Sequence, residues 1–450
     1  MNNPLLNKLK ASPPLANPLS DEKEIDSTYK YWRVRILYSS FLAYAVYYFC
    51  RVNISMALPS MESSLGLTKT QLGIITSALQ IAYGIGKFGN GILADRMNPR
   101  YFMAFGLFAS GVVNILFGLQ ASFITLVVLW CMNGWFQSMG FPPGARLLSH
   151  WFSPSEHGRM FSLYGCSHQV GAAIILIAAG YIVGHKWIFG ESWQYVFLLP
   201  GAFAVILAFL VLNRLRDIPE SMGLPPVEKY RRDITDQKTL AAVEEQASVK
   251  ETLLKYVLNN RNVWFMAFGN FFLYIARYGA LTWAPSYISQ AKDVSITKAG
   301  LITAFFEIMG ILGMLTAGWV SDKLFKARRG PIMAIYMFTL SFCLFFFWIA
   351  PPGQPLLYTV LLGICGFLVY GPLMLVSVAA INFTGKKAAA TAAGFTGFWG
   401  YMGATASGIG VGWAAHHYGW HIGFSLIIAS GIFSALFFAL TWRVKPRFFS

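Results

Sequence analysis

The sequence predicts an all-α integral membrane protein that crosses the bilayer twelve times, as two pseudo-symmetric six-helix halves. Three observations predict it. The 450-residue chain is 56% hydrophobic and only 12% charged, with a mean hydropathy of +0.52; a soluble chain carries about twice that charge. Apolar stretches recur that are long enough, at 1.5 Å per residue, to cross ~30 Å of hydrocarbon. Two arginines stand inside such stretches, Arg51 in Tyr-Tyr-Phe-Cys-Arg and Arg277 in Leu-Tyr-Ile-Ala-Arg. They are 226 residues apart, about half the chain, and each follows a tyrosine by three residues (Tyr48, Tyr274).

Residues 1–34 read as a cytoplasmic tail. Pro13, Pro14 and Pro18 interrupt it, and no apolar core of a cleaved signal peptide is expected there. Spans follow at about 35–58, 70–93, 101–120, 123–147, 159–184 and 193–213, the first half occupying 35–213. The polar stretch 214–261 holds Pro219, Pro225, Pro226 and many charges, with an amphipathic piece expected around 236–258; it reads as a cytoplasmic linker. The second half, 262–442, takes spans at about 262–288, 298–320, 331–350, 355–382, 388–414 and 419–442, before a short tail at 443–450. Glycines inside the spans, such as Gly84, Gly86, Gly403 and Gly408, let membrane helices approach closely.

The net charge of +16 raises a nucleic-acid reading, and the placement of the charges excludes it. Of the 35 lysines and arginines, Lys69, Lys186, Lys292 and Lys298 fall on one side of the spans. Arg51, Lys87 and Arg277 fall within spans, and all the others lie on the opposite side. That asymmetry puts both termini in the cytoplasm. The five cysteines lie in apolar segments without a CxxC pair, so neither a disulfide framework nor a metal site is expected. His416, His417 and His421 have no acid or cysteine beside them and read as solvated. No nucleophile–base pair and no phosphate-binding glycine loop before a helix is present, which argues against an enzyme, and no cofactor is expected.

A charge in hydrocarbon is costly and persists where it lines a cavity or meets a partner. Two arginines at matching places in two halves therefore point to one central anion site. A second mark supports duplication. Gly-Ile-Leu-Ala-Asp-Arg-Met-Asn-Pro-Arg at 91–100 is echoed by Gly-Trp-Val-Ser-Asp-Lys-Leu-Phe-Lys-Ala-Arg-Arg-Gly at 318–330, with Asp95 and Asp322 separated by 227 residues.

With these motifs the chain resembles the major facilitator superfamily, whose signature is G-x-x-x-D-[RK]-x-x-x-R between spans 2 and 3. Gly-Trp-Phe-Gln-Ser-Met-Gly-Phe-Pro-Pro (134–143), Tyr-Gly-Ile-Gly-Lys-Phe (83–88), Ala-Arg-Tyr-Gly-Ala-Leu-Thr-Trp-Ala-Pro-Ser-Tyr (276–287) and Lys-Lys-Ala-Ala-Ala-Thr-Ala-Ala-Gly-Phe-Thr-Gly (386–397) are similar to its organophosphate:phosphate antiporters. The resemblance runs from about residue 24 to 442. It implies a major facilitator fold that exchanges a sugar phosphate for inorganic phosphate, acts as a monomer and sits in a bacterial inner membrane.

The resemblance also implies roles. Arg51 and Arg277 would bind phosphate through planar donor forks, with Lys87 and His168 beside them. For the residues alone, Lys87 pairing with an acid and His168 serving as a plain interhelical contact both stay open. Glu307, the one acid placed inside a span, would be counter-ion to Arg277 or Lys87. Tyr44, Tyr48, Tyr83, Tyr274, Tyr278, Tyr370 and Tyr401 fall in or beside the motifs, where packing and substrate contact are equally open. Asp95, Arg96, Arg100 and Asp322 would form a cytoplasmic clamp that breaks when the halves rock. The chain departs from many relatives at Ser138, and where Tyr164-Gly165 and His168-Gln169-Val-Gly-Ala replace a Trp-Asn pair and His-Asn-Val-Gly-Gly. Gly165 enlarges the space near His168, which favours hexose phosphate. Glycerol-3-phosphate exchange and a transporter-like sugar-phosphate receptor remain the alternatives.

Overall fold

The computed structural model describes residues 12–13, 15, 17–185, 192–231, 257–326, 328–384 and 389–444. These residues form helices and no strand. In the first half they are α1 (Glu22–Val52), α2 (Ile54–Leu65), α3 (Lys69–Arg96), α4 (Pro99–Gly118), α5 (Phe123–Gln137), α6 (Phe141–Trp151), α7 (Pro154–Gly184) and α8 (Ser192–Arg214). After the short α9 (Val227–Arg231) come α10 (Arg261–Ala291), α11 (Ile296–Lys323), α12 (Arg329–Ile349), α13 (Pro355–Thr384), α14 (Ala389–Tyr418) and α15 (Trp420–Ala439). With α1–α2 and α5–α6 each counted as one broken span, these make the twelve expected. The amphipathic piece expected around 236–258 lies almost wholly outside the described residues.

Two differences from the expected spans have local causes. The first span does not start near residue 35. Asp21 caps the helix by accepting from the Lys23 amide, so α1 begins at Glu22 and projects beyond the apolar stretch. Spans 1 and 4 are each interrupted, at Asn53 and at 138–140, where Pro142 and Pro143 follow. Proline at the start of α6 has no amide to lose there, so the chain restarts cleanly. Eight described helical segments are long and apolar enough to cross a membrane. Those that fall short, α3, the α5–α6 pair, α10 and α14, include the helices bearing Lys87, Arg277 and Tyr401.

The packing repeats between halves. Span 1 lies on span 5 as span 7 lies on span 11, span 2 on 4 as 8 on 10, and span 3 on 6 as 9 on 12. The halves meet along α3 against α14 and α7 against α11. At the end carrying Lys69, Gly184 and Tyr418 this meeting is tight. A Cβ on Gly73 would lie 2.3 Å from the Gly408 carbonyl oxygen, and one on Gly300 would lie 2.6 Å from that of Leu176. The Ser77 hydroxyl donates to Thr405 O at 2.7 Å and that of Thr297 to Gly180 O at 3.1 Å. At the opposite end, Cβ atoms on Gly91 and Gly318 would meet nothing within 4 Å. A cavity of about 640 Å³ lies there, lined by Lys87, Gly91, Phe141, Ala145, Arg146 and His150. Large apolar side chains such as Ile206, Phe209, Phe338, Phe342 and Leu436 are exposed on the outer surface, where lipid would cover them.

The tail and the start of the linker are fastened to the first half. Tyr29 stacks on Tyr230 at 4.0 Å between ring centroids, the Tyr230 hydroxyl donates to Asp26 at 2.6 Å, and the Leu19 amide donates to Gly223 O at 2.8 Å. Glu156, in the first turn of α7, receives Arg33 of α1 at 2.6 Å and Arg231 of α9 at 3.1 Å. Partial burial pushes the Glu156 carboxyl up, but Arg33, the Ser153 amide and Arg231 outweigh it and hold the group below its ordinary value of 4.5. A depressed acid contributes stability that is present above its unfolded pKa and lost as pH falls through the folded one. Glu156→Gln is therefore expected to lower the thermal unfolding midpoint in detergent at pH 7. The gap to the parent protein should close as pH drops below about 4.5. A gap that persists unchanged at pH 3.5 would argue against charge as the source.

Candidate functional site

Arg51 and Arg277 are almost completely buried, 5% and 3% exposed, in the middle of the bundle. The arrangement around them is built on tyrosines. Arg51 donates to the Tyr278 hydroxyl at 3.0 Å and approaches Gln80 Oε1 at 3.4 Å, with its Cζ 4.1 Å from the centre of the Tyr83 ring. Arg277 donates to the Tyr370 hydroxyl at 2.9 Å, and its Cζ lies 4.7 Å from the Tyr278 ring centre. Tyr278 thus touches both guanidinium groups, one through its oxygen and the other through its ring face. Aromatic faces and hydroxyl oxygens are favourable neighbours for a cation withdrawn from water.

Glu307, on α11, is fully buried. It does not meet Arg277 directly among the described ion pairs. The Tyr370 hydroxyl accepts from Arg277 and donates to Glu307 at 2.6 Å, so the tyrosine relays between the charges. The other oxygen of Glu307 and the Nε of Arg277 have no hydrogen-bond partner among the described residues. No bond between Glu307 and Lys87 is present among the described contacts. Lys87 is exposed to the open cavity, with its Nζ 5.5 Å from the Tyr401 ring centre across the interface between halves.

The other expected tyrosines close the ring around this group. Tyr83 lies 4.8 Å from Tyr401, and Tyr401 lies 5.5 Å from Tyr274, which is 5.7 Å from Tyr278. On the α7 side, Tyr44 is 5.7 Å from Tyr48, and Tyr48 is 5.1 Å from His168, which is 6.1 Å from Tyr370. His168 Nδ1 bonds the Gly165 carbonyl, an acceptor only, so Nδ1 carries the proton and Nε2 is the ring's acceptor in the neutral form. On the far side of Arg51, a cavity of about 30 Å³ lined by Gln80, Thr76 and Ser55 has room for about one water.

The residues expected at the clamp behave differently. The side chains of Asp95 and Arg96 lie outside the described residues. Arg100 Nε donates to Leu212 O near the end of α8, and Asp322 pairs with Arg329 at 2.6 Å. Both contacts stay within one half. Arg146 makes a connection that the sequence reading missed. It donates to Ala94 O and Met97 O, each at 2.9 Å, and reaches the buried Asp217 at 3.2 Å. A signal was available: Asp217 is the one acid in Arg-Leu-Arg-Asp at the end of the sixth span.

Also missed was the support beneath Arg51. Amide side chains bond backbone carbonyls next to the arginine, just before the break at Asn53. Cys50 O accepts from Asn133 at 2.7 Å and Asn114 at 3.1 Å, and Tyr47 O accepts from Gln137 at 2.8 Å. Asn53 donates to Asn114 Oδ1 and Val196 O, both at 3.0 Å, and Ser110 donates to Asn133 Oδ1 at 2.6 Å. Gln137 lies inside the quoted 134–143 motif, so that motif brackets the helix that carries Arg51.

The Major Facilitator Superfamily profile matches residues 40–408. The chain belongs to that superfamily. Within it the protein sits among organophosphate transporters. It is 40% identical over 439 residues to a probable hexose phosphate transport protein of Chlamydia muridarum, covering 95% of each chain. It is 39% identical to the glycerol-3-phosphate transporter of Bacillus subtilis, covering 98% of this chain and 99% of that one. It is also 36% identical to the membrane sensor protein UhpC of Salmonella typhimurium, again covering 98% and 99%. This is a multi-pass membrane protein of a transporter family and not an enzyme.

The bracket under Arg51 gives a direct test. Asn133→Leu keeps the volume, removes a donor from Cys50 O and takes away the acceptor of the Ser110 proton, leaving that hydroxyl only its bond from Gln137. It is expected to destabilise the protein by about 1–3 kcal/mol, read as a lower thermal unfolding midpoint in detergent. An unchanged midpoint would mean that water or a neighbour replaces the amide without loss.

Proposed function

We propose that the protein exchanges a sugar phosphate, hexose 6-phosphate in preference to glycerol 3-phosphate, for inorganic phosphate. It does so by alternating access to one central site. The observation that carries this reading is the pair of buried arginines, one from each half, gathered on Tyr278. A phosphoryl group offers each guanidinium a better partner than a neutral hydroxyl, because charge-assisted bidentate pairs are stronger than neutral ones. On binding, the forks of Arg51 and Arg277 turn from Tyr278 and Tyr370 to shared phosphate oxygens. Lys87 and His168 complete the headgroup site, and the seven tyrosines wall the substrate body.

Three cations and one carboxylate give the site a formal charge of +2, which suits one phosphate dianion, organic or inorganic. One anion then replaces another at the same place. Without an anion the cations repel across the interface, the halves do not rock, and transport is exchange instead of leak. The charge asymmetry of the loops supports both termini, and therefore the open end, facing the cytoplasm of a bacterial inner membrane. On this topology the structure is inward-facing. Residues 35–213 and 262–442 are the rocking units of a monomer, and Asp95, Arg96, Arg100 and Asp322 belong to the end that must close.

The names of the Chlamydia and Bacillus relatives support an organophosphate, and the open space at Gly165 favours the larger sugar. The likeness to UhpC supports a second reading, a sugar-phosphate sensor on the same scaffold. Purified protein in phosphate-loaded proteoliposomes decides between them: counterflow of labelled phosphate driven by external hexose 6-phosphate is expected, whereas binding without exchange would favour the sensor. Arg51→Lys and Arg277→Lys should each lower the rate of exchange by about 10- to 100-fold, since an ammonium lacks the fork. Parental rates in either variant would overturn the shared headgroup site.

A further inference from the structure

The centre of the molecule holds hydrogen-bonding capacity that its own side chains do not use. Gln169, on α7, is fully buried, and neither its Nε2 nor its Oε1 has a partner among the described residues. Buried amides are almost always satisfied, so an empty one asks what completes it. Gln169 stands where the first half meets the second. A Cβ on Gly310 of α11 would lie 2.7 Å from its Nε2 and 2.2 Å from the Tyr370 ring. The amide therefore lies beside the tyrosine that relays between Arg277 and Glu307. Two further buried atoms of that group are unpartnered, a donor in Arg277 Nε and an acceptor in Glu307 Oε1. One turn before Gln169, on the same helix face, a Cβ on Gly165 would meet nothing within 4 Å.

We infer that Gln169, with the free carboxylate oxygen of Glu307, recognises a hydroxyl of the sugar body seated in the space before Gly165, and so sets the preference for an organic over an inorganic phosphate. The inference rests on the exchange reading above. Its chemistry is specific. A sugar hydroxyl both donates and accepts, and here it finds an acceptor-only carboxylate oxygen and an amide that offers both roles. Inorganic phosphate has no body to reach this place. The residues that hold the headgroup are different ones, so affinity for the body and affinity for the phosphate can be separated.

The test compares the parent protein with Gln169→Met, which keeps the length of the side chain and removes the amide. Substrates are hexose 6-phosphate, analogues each lacking one ring hydroxyl, and inorganic phosphate. For the parent, one analogue should be transported about tenfold less efficiently than the full sugar phosphate. In Gln169→Met the full sugar phosphate should fall to the level of that analogue. The ratio of its KM to that of phosphate should rise by a similar factor. Two results would overturn the inference: a parent-to-analogue ratio that Gln169→Met leaves unchanged for every analogue, or KM values for sugar phosphate and phosphate that rise in parallel. If Gln169→Met does not fold, Gln169→Leu, which removes the amide without adding a charge, is read in the same way. If the parent protein exchanges neither anion, the exchange reading fails alone. The hydroxyl comparison is then made as ligand-induced thermal stabilisation, where the same ratios decide.

Discussion

Two permanent positive charges held out of water at the centre of a membrane protein constrain nearly everything around them. Among the described residues, no carboxylate in contact neutralises Arg51 or Arg277. Hydroxyl oxygens, ring faces and one relayed glutamate stand in, and each is a weaker partner than a second charge would be. On the proposed exchange, that weakness has a function. A direct ion pair would have to be broken before an anion could enter, whereas a tyrosine hydroxyl can be displaced. Tyr370 also lets Glu307 compensate Arg277 from a distance, which keeps the guanidinium available and still reduces the cost of holding it empty.

The two arginines are supported differently, although their positions correspond. Arg51 precedes a break in its helix, and Asn133, Asn114 and Gln137 bond the Cys50 and Tyr47 carbonyls beside it. Arg277 lies inside the continuous α10 and is held by Tyr370 and Tyr278 through its side chain. Both guanidinium groups rest on tyrosines, Arg51 on Tyr278 and Arg277 on Tyr370, and the backbone beside Arg51 is braced by amide side chains as well. On the proposed exchange, an anion competes with a tyrosine hydroxyl for each of the two arginines, one of which stands on a braced stretch of backbone.

The architecture was legible in the sequence because hydrocarbon permits few solutions. Twelve apolar stretches, a one-sided distribution of lysine and arginine, and two marks at nearly one offset leave little room for another fold. Arg51, Arg277 and the seven tyrosines were readable because a polar group in a span must find a use. The amides were not. Asn114, Asn133 and Gln137 look in the sequence like ordinary polar residues that spans tolerate, and their role depends on a helix break that the apolar pattern runs straight through. The link from Arg146 to Asp217 was hidden for another reason: in a loop rich in positive charge, a single acid reads as composition until its burial is known. The relay through Tyr370 depends on geometry between three helices that no spacing along one chain encodes.

The closed end is a seam of main chain against main chain, at Gly73 beside Gly408 and Gly300 beside Leu176. Such a seam has few rotamers to reorder, so opening it disturbs its van der Waals contact and the hydrogen bonds of Ser77 and Thr297. On the proposed alternating access, the resting preference of the empty protein for one face over the other is then tunable in small steps. A single added methyl group at either glycine would act as a wedge, shifting the balance between inward and outward forms while leaving the chemistry of anion recognition alone.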